Sequence, residues 1–182
     1  MELMMIFSSI VGSFLKNKGV DVYLKAVNNI NCNKCVFELV GREGSDKKYN
    51  ELIKTLITDK VIFKGFIDDI KNYYNSIDVV IHTSIEADAL PTVLIEGLAK
   101  GKILIGSDVG GVREIIDTGY GNIIVPPNDV QALKKAILEV SKYDNNKISF
   151  IKEKNIQRAK EIFKLEKQIK RITEIYYEVL NV

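Results

Sequence analysis

Histidine is nearly absent from this chain: His82 is the only one in 182 residues. A metal site built from several histidines is therefore excluded, and a Ser/His/Asp hydrolase has little to work with. There are 2 cysteines, Cys32 and Cys35, in a lone CxxC. A redox CxxC follows a strand and opens a helix, whose end lowers the thiol pKa. Here a helical stretch precedes the pair and a strand follows it, and two further zinc ligands are not evident. Both are expected to be reduced cytosolic thiols with no part in chemistry. No apolar run reaches the ~18–20 residues that a bilayer span needs. The opening MELMMIFSSIVGSFL has Glu2 as its only early charge and no small-residue cleavage site, which favours a buried first strand over a signal segment. Neither sign of charge dominates: 26 Lys+Arg against 24 Asp+Glu, a formal +2, is too even to argue for a nucleic-acid partner. The 3 prolines and 12 glycines give no linker-like or collagen-like bias.

What is present is an ordinary globular composition, 46% hydrophobic and 27% charged. At this length one domain can bury a sizeable core without disulfides or metals. Short β-branched runs alternate with amphipathic stretches. The expected strands are Met5–Val11, Val36–Val40, Val61–Lys64, Val79–His82, Ile103–Ile105 and Asn122–Val125. Between them the spacing predicts helices over Val20–Asn28, Lys47–Thr58, Ile67–Asn75, Thr92–Lys100, Val112–Asp117 and Val130–Ser141, the last capped by Asn128/Asp129. Such alternation predicts an α/β fold: a single domain whose doubly wound parallel sheet of about six strands carries helices on both faces. After Asn145 the pattern changes to two consecutive charged amphipathic helices, Ile148–Phe163 and Leu165–Leu180. The expected division is residues 1–145 for the sheet domain and 146–182 for a C-terminal helical extension.

Ligands of such sheets bind outside the carboxyl ends of the strands. The loops to inspect are therefore 12–19, 41–46, 65–67, 83–90 and 107–111. The most informative stretch is Ser84–Gly101, SIEADALPTVLIEGLAKG. Pro91 suits the first turn of a helix, where its missing N–H costs nothing. The N–H groups of Thr92 and Val93 then lack partners, and a helix start at the ligand edge is a ready anion site. Asp88 precedes this helix and Glu96 lies in its second turn. A phosphate near Pro91 would have one carboxylate towards each of its two substituents, and ionised carboxylates accept hydrogen bonds from sugar hydroxyls. On the residues alone, Asp88 as a simple cap and Glu96 as a solvated side chain stand equally open.

The D-x7-E pattern in Ser84–Gly101 resembles the E-x7-E signature of retaining family 4 glycosyltransferases of GT-B fold, also called group 1. GSFLKNKG (12–19) resembles that family's phosphate segment, LVGREG (39–44) its LVGxG turn and VIFKG (61–65) its VxFxG segment. KILIGSDVGGVREIIDTGYGNIIVPP (102–127) resembles its GGVxE loop and final turn. The resemblance covers roughly residues 5–140. It implies a Rossmann-like domain that binds a nucleotide-diphosphate sugar such as a UDP- or GDP-hexose, with an N-terminal acceptor domain missing from this chain. Carried across, Asp88 is the carboxylate beside the donor sugar, Glu96 the ribose partner and Lys18 the diphosphate cation, and these three are the catalytic candidates. The donor-binding set adds Gly12, Ser13, Gly65, Phe66, Ala89, Leu90, Pro91, Thr92 and Val93. No metal and no cofactor are expected: no DxD pair is found, and a fixed cation with helix-end N–H groups can stabilise the charge that grows on a leaving diphosphate.

Two positions depart from the family pattern. Ser13 stands where it has Arg, and a hydroxyl does not replace a bidentate guanidinium. Asp88 stands where it has Glu, shortening the reach by one methylene. Arg42 and Arg113 are the other candidates for the missing charge. His82, at a strand end among apolar neighbours, is read as packed, and Tyr73, Tyr74, Tyr176 and Tyr177 as core or interface. Leu165, Ile169, Ile172, Ile175, Tyr176 and Leu180 share one face of the last helix, which either folds back on the domain or meets the acceptor domain. Its polar face, with Lys167, Lys170 and Arg171, suits a peripheral membrane contact. The expectation is a cytoplasmic transferase half, at the inner membrane face in the full enzyme. It would be inactive alone and would transfer a hexosyl group to a carbohydrate or lipid-linked acceptor once joined to its partner. The alternative is a non-catalytic nucleotide-sugar-binding or protein-interaction domain of the same fold.

Overall fold

The computed structural model describes residues 4–180. Six strands form one sheet: β1 (Met5–Phe14), β2 (Cys35–Glu43), β3 (Val61–Gly65), β4 (Val79–His82), β5 (Ile103–Ser107) and β6 (Ile123–Val125). Their order is β3-β2-β1-β4-β5-β6, and every neighbouring pair is parallel. The helices are α1 (Val20–Asn28), α2 (Lys47–Leu56), α3 (Ile70–Tyr73), α4 (Thr92–Ala99), α5 (Val112–Ile115), α6 (Val130–Val140), α7 (Asn145–Ile162) and α8 (Leu165–Leu180). The expected α/β sheet of six parallel strands is thus present, with helices on both faces.

The period of two along each strand explains the two cores. Val79 and Ile81, with Ile103 and Ile105, face α1, α2 and α6, where Tyr23, Leu24 and Ile137 are fully buried. Val80 and Leu104 point the other way, against Leu94, Leu98 and Ile115 of α4 and α5. Each fully buried Val, Leu or Ile of this kind stabilises the fold by ~1.5–3 kcal/mol. The second core also holds a polar knot. Glu38 of β2 is 6% exposed and accepts a hydrogen bond from the Tyr73 hydroxyl at 2.5 Å; Ser8 and Tyr73 share another at 2.8 Å, and Lys64 approaches Glu38 at 3.5 Å.

β1 continues beyond Val11 to Phe14, so Gly12 and Ser13 belong to a strand and not to the expected loop. The β1–β2 register shifts between Ile10 and Ser13, and Phe14 then buries its ring beside Phe63, with centroids 5.7 Å apart. The cysteines also differ from expectation. The turn from α1 to β2, closed by a hydrogen bond from Cys35 N to Cys32 O, brings their Cα atoms 5.3 Å apart, and the sulfurs are bonded. The pair lies at the amino end of β2, away from the ligand edge.

α7 is tied to the sheet by Asn155, fully buried, which donates to the carbonyl of Lys102 and pairs with Asn122. Arg158 donates to the carbonyls of Ile115 and Glu114. α8 carries no buried residue; Leu165, Ile169, Ile172 and Tyr176 lie exposed along it. No described helix is long and apolar enough to cross a membrane.

Candidate functional site

The strand order reverses between β1 and β4, and a doubly wound sheet opens its crevice at such a reversal. A cleft of about 340 Å³ lies there, lined by Gly12, Lys18, His82, Thr83, Ser84, Asp88, Leu90, Pro91, Thr92 and Val93. Two loops make its walls. Lys18 comes from the short 3-10 turn Lys16–Lys18 after β1, and the others, Gly12 apart, from the β4–α4 segment. The walls are joined by backbone: Ile85 N donates to Asn17 O at 2.8 Å, and the Thr83 hydroxyl donates to Lys18 O at 3.0 Å.

The way the helices begin separates the middle of this edge from its flanks and from α7. α2, α3, α6 and α7 each start with an aspartate (Asp46, Asp69, Asp129, Asp144) whose carboxylate accepts a first-turn N–H. Each such cap contributes about 1 kcal/mol. α1, α4 and α5, which follow the central strands, start at Gly19, Pro91 and Gly111 with no side-chain cap. The first-turn N–H groups of Thr92 and Val93 are left for whatever occupies the cleft they line. A carboxylate cap in that place would repel an anion.

Charge in the cleft is paired. Lys18 Nζ lies 2.7 Å from Asp88 Oδ2. Partial burial alone would raise the Asp88 carboxyl; the Lys18 ammonium, helped by His82, outweighs it and holds Asp88 below the usual carboxylate range. His82 Nε2 stands 3.5 Å from the same oxygen, close enough for electrostatic attraction but without a formed hydrogen bond, and Nδ1 has no partner either. The ring is 6% exposed. Burial pulls its pKa below the ordinary histidine value; Asp88 pulls the other way and Lys18 adds to the lowering. The buried Ser84 hydroxyl, also in the lining, is likewise without a partner. Unpaired buried polar atoms cost ~1–3 kcal/mol each, so their gathering around one cleft calls for a ligand or water to satisfy them.

The cleft brings together Gly12, Lys18, Asp88, Leu90, Pro91, Thr92 and Val93 of the expected set. Ser13 sits instead in β1 opposite Arg42, and Gly65 and Phe66 lie at the end of β3, where Arg42 stacks over the Phe66 ring at 5.2 Å. Ala89 is exposed beside the cleft. Glu96 faces an adjoining hollow with Ile70, Lys71 and Tyr74, not the cleft itself. Only α4 links the two linings: the Tyr74 hydroxyl donates to Glu96 Oε2 at 2.8 Å and reaches the carbonyl of Val93, a residue of the cleft, at 3.2 Å. Burial and the Glu96 carboxylate push the Tyr74 hydroxyl far up, so it stays protonated as a donor.

A larger hollow of about 630 Å³ opens at the ends of β5 and β6, lined in part by Arg113, Asp108, Asp117 and Arg158. Its cations are already used. Arg113 grips Asp108 through two bonds of 2.6 and 2.5 Å, and Arg158 is bound to carbonyls. Neither Arg42 nor Arg113 reaches the cleft, so the charge that Ser13 does not carry is unreplaced there. Size therefore does not select the site here; unspent donors do.

The model of the family described as glycosyl transferases group 1 matches residues 5–158. An uncharacterised glycosyltransferase of Methanocaldococcus jannaschii is 26% identical over 175 residues, covering 95% of this chain and 48% of that protein. Among solved structures, a glycosyltransferase of Rickettsia africae superposes with a TM-score of 0.87 at 26% identity, over 97% of this chain and 48% of that one. HepE of Anabaena in complex with UDP-glucose gives 0.84 at 21% identity, over 96% of this chain and 49% of that one. Fold and cleft thus define a Rossmann-like domain of the GT-B type. The chain belongs to the group 1 glycosyltransferases. It spans about half the length of the relatives it matches and corresponds to their C-terminal half.

Proposed function

We propose that this chain is the donor-binding half of a retaining glycosyltransferase that takes a hexose from a nucleotide-diphosphate sugar. The observation that carries the reading is the cleft at the strand reversal, where an uncapped helix start, one lysine, one aspartate and two unpartnered buried side chains converge. The donor diphosphate lies on the N–H groups of Thr92 and Val93 and draws on Lys18; Asp88 faces the sugar hydroxyls. Glu96, held by Tyr74 one helical turn from Val93, takes the ribose. Gly65 and Phe66 lie along the same sheet edge on the side of the base.

In transfer, the bond from the anomeric carbon to the diphosphate breaks and its electron pair leaves on the phosphate oxygen. The acceptor oxygen bonds to the anomeric carbon with retention, and its proton leaves with the nucleoside diphosphate. Lys18 and the helix N–H groups stabilise the charge that grows on the leaving oxygen, and this scheme uses no metal ion. The acceptor, a carbohydrate or a lipid-linked sugar, is held by an N-terminal domain that meets this one across the open cleft. The apolar face of α8 turns to that domain, and a cytoplasmic enzyme in peripheral contact with the membrane through Lys167, Lys170 and Arg171 completes the reading.

Calorimetric titration of the full chain with UDP-glucose and GDP-mannose tests it. The expected result is weak binding of one of them, reduced about tenfold to a hundredfold in Lys18→Met by loss of a charge-assisted contact, with no transfer by the chain alone. Absence of binding to either nucleotide sugar overturns the donor reading in favour of an interaction domain of the same fold, which the missing Ser13-position arginine would suit.

A further inference from the structure

The cleft is electrically closed. Among the described residues that line it, Lys18 is the one permanent cation and Asp88 the one permanent anion, and they hold each other at 2.7 Å. A diphosphate therefore cannot simply add to the site. To use Lys18 it must compete with Asp88, and it then sits as a multiply charged anion beside a carboxylate that has lost its partner. In a partly desolvated cleft two like charges at such close range repel strongly. Another group has to take over the carboxylate.

His82 is placed to do so. Its Nε2 already stands 3.5 Å from the same Asp88 oxygen that Lys18 occupies, and neither ring nitrogen is committed elsewhere. It ends β4 inside the lining and is 6% exposed. The remaining lining residues, Gly12, Thr83, Ser84 and Leu90–Val93, are uncharged, so Asp88 and Lys18 are the charged groups that face the ring.

We propose that His82 is the proton-linked counter-charge of this cleft: as a bound diphosphate draws Lys18 from Asp88, His82 takes a proton from solvent and donates Nε2–H to the Asp88 carboxylate. The inference rests on the donor reading above and goes beyond it by adding a positioning residue and a pH dependence. The direction follows from the groups in place. Burial and Lys18 lower the pKa of the ring, while Asp88 favours its charged form. Moving Lys18 away and bringing in phosphate charge both favour the imidazolium. One proton taken up on binding makes affinity fall as pH rises, by at most about tenfold per pH unit between the free and bound pKa values of His82. A nucleotide sugar is the suitable probe, because its diphosphate is esterified at both ends and has no protonation step near neutral pH.

The test uses the full chain and UDP-glucose and GDP-mannose, titrated between pH 6 and 8 in buffers of different ionisation enthalpy. Wild type is expected to take up close to one proton, and His82→Gln, which keeps a neutral donor, to take up none. Because His82 is the only histidine, its Cε1–H NMR signal follows the same event directly and should titrate at higher pH with donor than without. Binding with no proton uptake, with uptake unchanged in His82→Gln, or with an unmoved His82 titration overturns the inference and leaves the donor reading standing. If wild type binds neither nucleotide sugar at any pH, both fall.

Discussion

Gly110 offers the sharpest test of how the cleft is built. It lies in the β5–α5 loop with a φ of +51°, and that loop presses on the segment that carries Asp88. A Cβ on Gly110 would fall on the Asp88 carbonyl, with the carbonyl carbon at 2.7 Å and the nitrogen at 2.9 Å. The atoms met are backbone, and they cannot rotate away. Next to it, Gly111 N donates to Asp88 O at 3.1 Å, so the same loop both needs the close approach and uses it. Gly65 is the matched control: its φ is +68°, and a Cβ there meets nothing within 4 Å.

In Gly65→Ala, left-handed strain of about 1–2 kcal/mol is partly offset by about 0.4–1 kcal/mol from a less flexible unfolded chain. The net loss is about 0.5–1 kcal/mol. Gly110→Ala carries the same two effects and adds overpacking of about 1–3 kcal/mol, for a total near 2–4 kcal/mol. For a chain of this size that lowers Tm by about 5–10 °C, against about 2–3 °C for Gly65→Ala. Equilibrium guanidinium unfolding measures the difference, and calorimetry with UDP-glucose and GDP-mannose reads the displaced Asp88 segment as weakened binding in Gly110→Ala. Equal destabilisation by the two alanines would refute the close approach and with it the idea that the β5–α5 loop positions Asp88.

Tyr73→Phe removes the hydroxyl that serves both Glu38 and Ser8 and leaves a buried carboxylate short of a donor; a loss of about 1–3 kcal/mol is expected in denaturant unfolding, and a change under 0.5 kcal/mol would show that the knot is not needed. His82 binds fewer protons when folded than when unfolded, because burial lowers its pKa. Stability from this group is therefore whole above the unfolded value near 6.5 and declines as pH falls through the folded value. His82→Gln should flatten the stability difference between pH 7.5 and 5.5, and an unaltered difference would place the acid sensitivity elsewhere. Pro91→Asp gives α4 the kind of cap that four other helices have, worth about 1 kcal/mol, against a similar loss of proline rigidity. Stability should change by less than ~1 kcal/mol while nucleotide-sugar affinity drops at least tenfold; unchanged affinity would remove the α4 terminus from the site.

The sheet was readable because its buried strands are short β-branched runs such as VVIH and ILIG, and because Asp129 announces α6 with a cap that forms as expected. The reading failed where local chemistry is ambiguous. Gly12 and Ser13 look like a loop, yet β1 passes through them because Phe14 has a buried place to fill beside Phe63. The stretch around Pro91 could be found from the sequence, since a proline before a helical pattern at the carboxyl edge of a sheet has one physical meaning. Its partners could not. Lys18 and Asp88 are 70 residues apart, and so are not paired by any local rule. His82 carried one signal that deserved more weight: it is the last residue of a strand, at the edge where ligands bind.

The distribution of aspartate caps ties stability to function at this edge. Four helices start on an Asp and gain about 1 kcal/mol each, while α4, which starts at the cleft, forgoes that gain and leaves its first N–H groups bare. The carboxylate in the cleft beside the start of α4, Asp88, caps nothing; it is occupied by Lys18 and approached by His82. Negative charge is thus kept in the cleft but held off the helix end. That arrangement makes sense if the carboxylate is wanted for a sugar and the helix end for a phosphate, so that two anions must share one hollow. A cation that can serve either of them, and a neutral ring that can become a second cation, are what such sharing requires.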